Sequence, residues 1–320
     1  MAGDRRALAR AITLAESTRP EDREPAELLM SALSTKTATT LRIGIAGAPG
    51  VGKSTLIEVL GLHAIGKGHR LAVLAVDPSS PMSGGSILGD KTRMTELSKA
   101  NAAFIRPSPA AGRLGGVARR TSEAIRLCEA AGYDCVIVET VGLGQSETAI
   151  ADQVDLVLLL VPPGGGDELQ GIKRGIMETA DIIAVTKADG AMAAEAGRTA
   201  ADYQHALRLM RPASGSWVPL ARTCSALTGA GIPELWSEIE RFARDVGPEA
   251  IAKRRAEQAV RHLSAEIEDE LKARLAAAGL AERLAQFERD VAKGRLTPRA
   301  AARALVAELT GPASQPSRKP

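Results

Sequence analysis

The stretch IGIAGAPGVGKSTLIEVL, residues 43–60, decides the architecture. It opens on an apolar run of strand composition, passes through Gly47, Ala48, Pro49, Gly50, Val51 and Gly52, and continues from Lys53, Ser54 and Thr55 into an amphipathic helical pattern. Each part has a chemical reason. Glycines let backbone N–H groups turn toward phosphate oxygens, Lys53 reaches the β and γ phosphates, and the Ser54 hydroxyl ligates Mg²⁺. A strand before the loop and a helix after it set this motif apart from a chance glycine turn.

Outward from that loop, short β-rich runs alternate with helical stretches: LRIGIAG, RLAVLAVD, AFIRP, YDCVIVET, DLVLLLVP, DIIAVTKAD and WVPLARTCSA. Strands separated by helices pair in parallel through right-handed crossovers, so the chain is predicted to be an α/β P-loop NTPase, a mostly parallel sheet flanked by helices. Ligands of such sheets bind at the carboxyl ends of the strands, where every motif below falls. Helical extensions are expected at both ends. Residues 1–38 read as two short helices, the second starting near Glu24-Pro25, and the P-loop core spans 39–247. A long charged helix then runs from about Pro248 to Ala278 and ends at Gly279. Two shorter helices follow, the last opened by Thr297-Pro298, so 248–311 forms a C-terminal helical arm before a disordered tail at 312–320.

Composition narrows the function classes. At 320 residues the chain can bury a full core, and with aromatics at only 2% that core is built from Ala, Val, Leu and Ile. The N-terminal residues recur at helical spacing and lack an export signal, and no apolar run is long enough to span a bilayer, so a cytoplasmic protein without membrane attachment is expected. A formal net charge of +3 is too small to imply nucleic acid. The run Lys253-Arg254-Arg255, balanced by Glu249, Glu257, Glu266, Glu268 and Glu270, reads as a solvated helix face. Cys128, Cys135 and Cys224 lack metal or redox spacing and read as reduced core residues.

Magnesium needs carboxylates near the strand ends, and the candidates are Asp77, which ends RLAVLAVD, Asp90 in GGSILGDKTRM, and Glu139, which ends YDCVIVET. Glu139 also opens ETVG, an acidic-x-x-Gly pattern in which a switch loop senses the γ-phosphate through Gly142. Lys53, Asp90 and Glu139 are therefore the candidate catalytic residues. No glutamine directly follows Gly142; the nearest is Gln145, so slow hydrolysis is predicted for the chain alone.

The base is read from DIIAVTKADG. Lys187-Ala188-Asp189 resembles the Asn-Lys-x-Asp signature of GTPases, whose aspartate accepts hydrogen bonds from guanine N1–H and the exocyclic amine. Adenine lacks that donor pair and would leave the carboxylate unpaired. Ser225-Ala226-Leu227 resembles the loop in which a backbone N–H contacts guanine O6. The usual asparagine is Thr186 here, which keeps a hydroxyl but not the amide, and some tethering to the phosphate loop is expected to be lost.

Together VDPSSPMSGGSILGDKTRM, IVETVGLGQSE, PPGGGDELQGIKRGI and TKADG resemble the MeaB/ArgK/MMAA family of P-loop GTPases, chaperones of methylmalonyl-CoA mutase, over essentially residues 5–310. The resemblance implies a GTP/GDP-binding, Mg²⁺-dependent homodimer joined through the C-terminal arm. Its implied partner is the adenosylcobalamin-dependent methylmalonyl-CoA mutase, whose cofactor loading it gates and whose activity it protects. It also implies a first switch around Asp90, a second from Glu139 to Gly142, and a third in PPGGGDELQGIKRG. In that third switch Gly164, Gly165 and Gly166 form the hinge, with Asp167, Gln170 and Lys173 beyond it. Two alternatives remain: a metallochaperone, disfavoured because His63, His69, His205 and His262 are scattered, and a P-loop kinase acting on a small molecule.

Overall fold

The structure is a computed structural model that describes residues 4–17, 19–33, 40–77, 94–109, 114–140, 150–164, 174–209, 217–277 and 281–310. Two helices, α1 (Arg5–Glu16) and α2 (Pro20–Ala32), lead into β1 (Leu41–Gly47) and the phosphate-loop helix α3 (Lys53–Gly66). Then come β2 (Leu71–Asp77), α4 (Thr95–Lys99), β3 (Ala103–Pro109), α5 (Leu114–Ala130) and β4 (Cys135–Thr140). They are followed by β5 (Leu156–Val161), α6 (Arg174–Thr179), β6 (Ile182–Val185), α7 (Ala193–Leu209) and β7 (Leu220–Thr223). A long helix α8 (Ile232–Ala277) precedes α9 (Ala281–Ala292) and α10 (Pro298–Thr310).

All seven expected strands form one sheet in the order β3-β2-β4-β1-β5-β6-β7, and every pairing is parallel. Its central strands are mostly apolar, β5 throughout, because both faces are covered. In β5, Leu156, Leu158 and Leu160 enter the layer that contains Leu56, Ile57 and Leu60 of α3. Val157, Leu159 and Val161 enter the opposite layer, with Ile125 and Cys128 of α5 and Tyr203 of α7. Strand order reverses around β1, so the loop after β1 opens at the switch point of the sheet.

Helix α1 belongs to that second layer. Asp4 caps it by accepting from Arg6 N at 2.8 Å and Ala7 N at 3.1 Å, and Leu8, Ala11, Ile12 and Ala15 are buried. Arg106 on the edge strand holds Glu16 at 2.6 Å. Helix α2 starts at Pro20 rather than near Glu24-Pro25: a proline with Glu21 and Asp22 behind it makes a good first turn, and Pro25 falls inside the helix. The three cysteines are free and buried, and burial pushes the Cys224 thiol up to about 12. No helix among the described residues is long and apolar enough to cross a membrane.

Helix α8 is two helices that meet at Gly247, an earlier one from Ile232 and a second that starts at Pro248 as expected. Its first turns bury Leu235, Trp236, Ile239 and Phe242, and it kinks at Gly247 (φ 76°, ψ 162°), where the ring of Pro248 has no N–H to continue the ladder. The turns after the kink correct the expectation of a solvated basic face. Arg255 makes a bidentate pair with Asp155, Nε to Oδ1 at 2.7 Å and Nη2 to Oδ2 at 2.5 Å, and its Nη2 also donates to Thr40 O at 2.5 Å. Arg254 donates to Asp155 O at 2.5 Å and lies 3.7 Å from Asp181. Gln258 Nε2 donates to Ala151 O at 2.9 Å and Val154 O at 2.8 Å. Of the three basic residues, Lys253 alone is exposed as expected. Asp155 and Asp181 are fully buried at the starts of β5 and β6, and a buried carboxylate needs such partners. The first compact unit accordingly runs from Met1 to Val260, past the kink.

The second compact unit, Arg261–Pro320, holds the end of α8 together with α9 and α10. Thr297 caps α10 through Ala300 N at 3.2 Å, and Ala301 and Leu305 are buried. Leu263, Ile267 and Leu271 stay exposed at helical spacing on α8.

Candidate nucleotide site

The turn that follows β1 is shaped by contact with its neighbour. Gly47 has φ 149°, and a Cβ on it would lie 2.6 Å from Leu160 O of β5, so only glycine allows the two strand ends to approach this closely. Gly52 then adopts a left-handed conformation (φ 100°) as the residue before α3. Lys53 is buried, its Nζ donating to Gly47 O at 2.7 Å and Ala48 O at 3.2 Å. The ammonium is thus held in the mouth of the loop, where phosphate oxygens can replace the carbonyls as acceptors. Ser54 lies beside it at the start of α3, and Thr55 follows, exposed.

Glu139 is in the penultimate position of β4, paired in register with Ile45 of β1 and Ala75 of β2. That register brings residues 85 apart in sequence together: Ser54 Oγ donates to Glu139 Oε1 at 2.9 Å. A buried carboxylate and a hydroxyl at the head of a helix are hard oxygen donors that suit a divalent cation sharing phosphate ligands. The backbone of Asp77 ends β2, the strand beside β4, with Val76 opposite Thr140. The side chain of Asp77, all of Asp90, and Gly142 and Gln145 lie outside the described residues.

The candidate base strip, Lys187-Ala188-Asp189, follows the end of β6. Asp189 accepts a hydrogen bond from Ser225 Oγ, which is itself held by Thr228 N at 3.2 Å, so Ser225 aims the carboxylate. This alters the role expected of Ser225. Its own N–H is committed to Ala230 O at 2.8 Å, whereas the Ala226 and Leu227 N–H groups take no acceptor among the described residues. Leu227 is 85% exposed at the tip of this loop, an apolar surface suited to a base. Ala188 N donates to Cys224 O at 3.1 Å, tying the strip to β7. Lys187 has φ 54°, a strained value for a residue with a Cβ, and its Nζ donates to Gly50 O at 3.0 Å.

The loss of tethering expected at Thr186 is not what the structure contains. Thr186 is buried, and its hydroxyl donates to Val51 O of the phosphate loop at 2.8 Å. Lys187 adds the bond to Gly50, so base strip and phosphate loop are joined at two successive carbonyls. Thr199 escaped the sequence reading. Gly164, the first glycine of the run after β5, donates its N–H to the buried Thr199 Oγ1 of α7 at 3.0 Å, a contact across 35 positions that no local pattern signals. Gly165, Gly166, Asp167, Gln170 and Lys173 lie outside the described residues.

The phosphate loop, the Ser54–Glu139 oxygen pair and the Asp189 carboxylate held by Ser225 thus lie on one sheet edge. A family described as Methylmalonyl Co-A mutase-associated GTPase MeaB matches residues 8–279. The chain belongs to the MeaB family. It is 52% identical over 309 residues to a Caulobacter vibrioides protein that carries a GTPase name, covering 96% of this chain and 94% of the relative. It is 47% identical over 316 residues to the Mus musculus methylmalonic aciduria type A homolog, mitochondrial, covering 95% and 76%. A crystal structure of an LAO/AO transport system kinase superposes with a TM-score of 0.74 at 37% identity, covering 97% of this chain and 94% of that one. This MeaB-family protein is a P-loop GTPase.

Proposed function

We propose that this MeaB-family GTPase is a chaperone of an adenosylcobalamin-dependent methylmalonyl-CoA mutase, gating cofactor loading and protecting or reactivating the mutase. The observation that carries the reading is the unbroken match, from residue 8 to residue 279, to a family described as mutase-associated. The mouse relative's name, which refers to methylmalonic aciduria, points the same way.

The site chemistry is compatible with that role. Lys53 exchanges its loop carbonyls for β- and γ-phosphate oxygens, and Ser54 and Glu139 would hold Mg²⁺. When bound, that ion neutralises the charge shared by the β and γ oxygens. Asp189, aimed by Ser225, accepts from guanine N–H groups, and Ala226 or Leu227 N–H meets O6. The expected switches around Asp90, from Glu139 to Gly142, and from Gly164 to Lys173 would carry the nucleotide state to the mutase. Dimerisation through the arm is supported by exposed Leu263, Ile267 and Leu271, which form an apolar stripe along α8.

The test is phosphate release from GTP with and without methylmalonyl-CoA mutase. Slow turnover alone and clear acceleration by the mutase are expected; an unchanged rate together with no co-elution of the two proteins would sink the proposal. Asp189→Asn should weaken GTP by about tenfold or more and improve xanthosine triphosphate binding. The 37% identical structure is that of a protein called a kinase, which favours one second reading, phosphoryl transfer to a small acceptor. Radiolabel from γ-labelled GTP appearing in an organic acceptor rather than in free phosphate would favour it.

A further inference from the structure

Helix α4 is held in place by a residue of the phosphate-loop helix. It has five residues, too few to be stable alone, and Met94 before it offers no side-chain cap. The N–H groups of Glu96 and Leu97 in its first turn donate instead to Glu58 Oε1 of α3, at 2.7 and 3.2 Å, a carboxylate at the helix end where the dipole favours one. Met94 and Leu97 are fully buried in the layer that contains Leu56, Ile57 and Leu60 of α3. Gly61 permits the approach, since a Cβ there would lie 2.9 Å from Leu97 Cδ2. Glu58 follows Ser54 by four positions, so the two share one face of α3, about 6 Å apart along its axis. That face carries at its head the hydroxyl bonded to Glu139, and one turn on the carboxylate that fixes α4. Asp90, in the connection from β2 to α4, precedes Met94 by four positions in sequence.

We infer that Glu58 is a positioning residue for GTP hydrolysis, one that pins the first turn of α4 to the Ser54 face of α3 and so fixes where the connection bearing Asp90 rejoins the core; this rests on Asp90 acting as a metal-side carboxylate. Without the Glu58 carboxylate, two N–H groups of α4 lose their acceptor and the short helix opens. Asp90 is then tethered through β2 alone. The phosphate loop and the base strip keep their own hydrogen bonds, through Lys53, Lys187 and Ser225. The loss therefore falls on what needs Mg²⁺ and the γ-phosphate, in proportion to the time α4 spends out of place, and not on GDP held without the ion.

Glu58→Ala removes the acceptor, and Glu58→Gln keeps one acceptor oxygen at the same reach. Both variants and Asp90→Asn are made in the full chain. Three quantities are read: single-turnover GTP hydrolysis with Mg²⁺, the gain in affinity for a non-hydrolysable GTP analogue on adding Mg²⁺, and GDP affinity in EDTA. Glu58→Ala is expected to slow hydrolysis by about tenfold and to lose most of the Mg²⁺-dependent gain, with GDP affinity in EDTA within about twofold and Glu58→Gln close to the unaltered protein. If Glu58→Ala does not fold, Glu58→Met keeps the stem, removes the acceptor and carries the same test. Hydrolysis within about twofold of the unaltered protein, GDP in EDTA weakened as much as the analogue with Mg²⁺, or no rescue by glutamine overturns the positioning role. Asp90→Asn separates the two ideas: full hydrolysis and an intact Mg²⁺ gain in that variant defeat the reading of Asp90 and the role of Glu58 with it, whereas slow Asp90→Asn beside an inert Glu58→Ala defeats only the role of Glu58.

Discussion

Replacing Arg255 with methionine is the sharpest test of how the arm is rooted. Methionine has comparable length and an apolar stem, so packing is largely kept while the guanidinium is lost. Asp155 is 0% exposed and Arg255 17%, so water does little to screen the pair. Removing one partner of a buried pair costs about 3–5 kcal/mol, since the other charge is left in a low dielectric. The Arg42 N–H, which donates to Asp155 Oδ2 at 2.9 Å, remains and argues for the lower end. About 3 kcal/mol in a unit of this size lowers the melting temperature by roughly 6–12 °C. Thermal and urea unfolding of the nucleotide-free protein measure it, with Lys253→Ala as the control because Lys253 is exposed two residues away. That control should stay within about 0.5 kcal/mol. If Arg255→Met melts together with Lys253→Ala, the bidentate pair does not hold the arm root and the reasoning fails.

Two further outcomes follow from the same docking. A chain ended after Gly247 loses Arg254, Arg255 and Gln258 and should aggregate or fail to bind nucleotide, whereas one ended after Val260 keeps them and should bind GTP as a monomer; size-exclusion chromatography with a nucleotide-binding assay decides. Burial raises the Asp181 carboxyl to about 6, with Arg254 and the Val157 N–H pulling the other way. Between its ordinary value and about 6 the folded chain holds a proton that the unfolded chain has released, so the stability from this group is complete below about pH 4 and fades as pH rises through 6. Arg254→Met removes the main opposing charge, so its destabilisation should be larger at about pH 7.5 than at about pH 5, and a cost independent of pH would count against it.

Much of this protein is local in its sequence. The seven strands, the parallel sheet and the phosphate loop follow from apolar runs, glycine spacing and the Lys53-Ser54 pair, because strand burial on two faces and a strand-to-helix turn are short-range patterns. The position of Lys187-Ala188-Asp189 just after β6 was legible for the same reason. The tertiary structure decided the rest. A triplet such as Lys253-Arg254-Arg255 reads identically whether it faces water or Asp155 and Asp181, and only the kink at Gly247 and the starts of β5 and β6 distinguish the three. Likewise, a hydroxyl at position 186 reads as a lost amide until the ends of β1 and β6 bring it within 2.8 Å of Val51 O. Periodicity specifies which residues are buried; which buried polar group meets which partner is set by contacts between residues about a hundred positions apart, and no local pattern contains those.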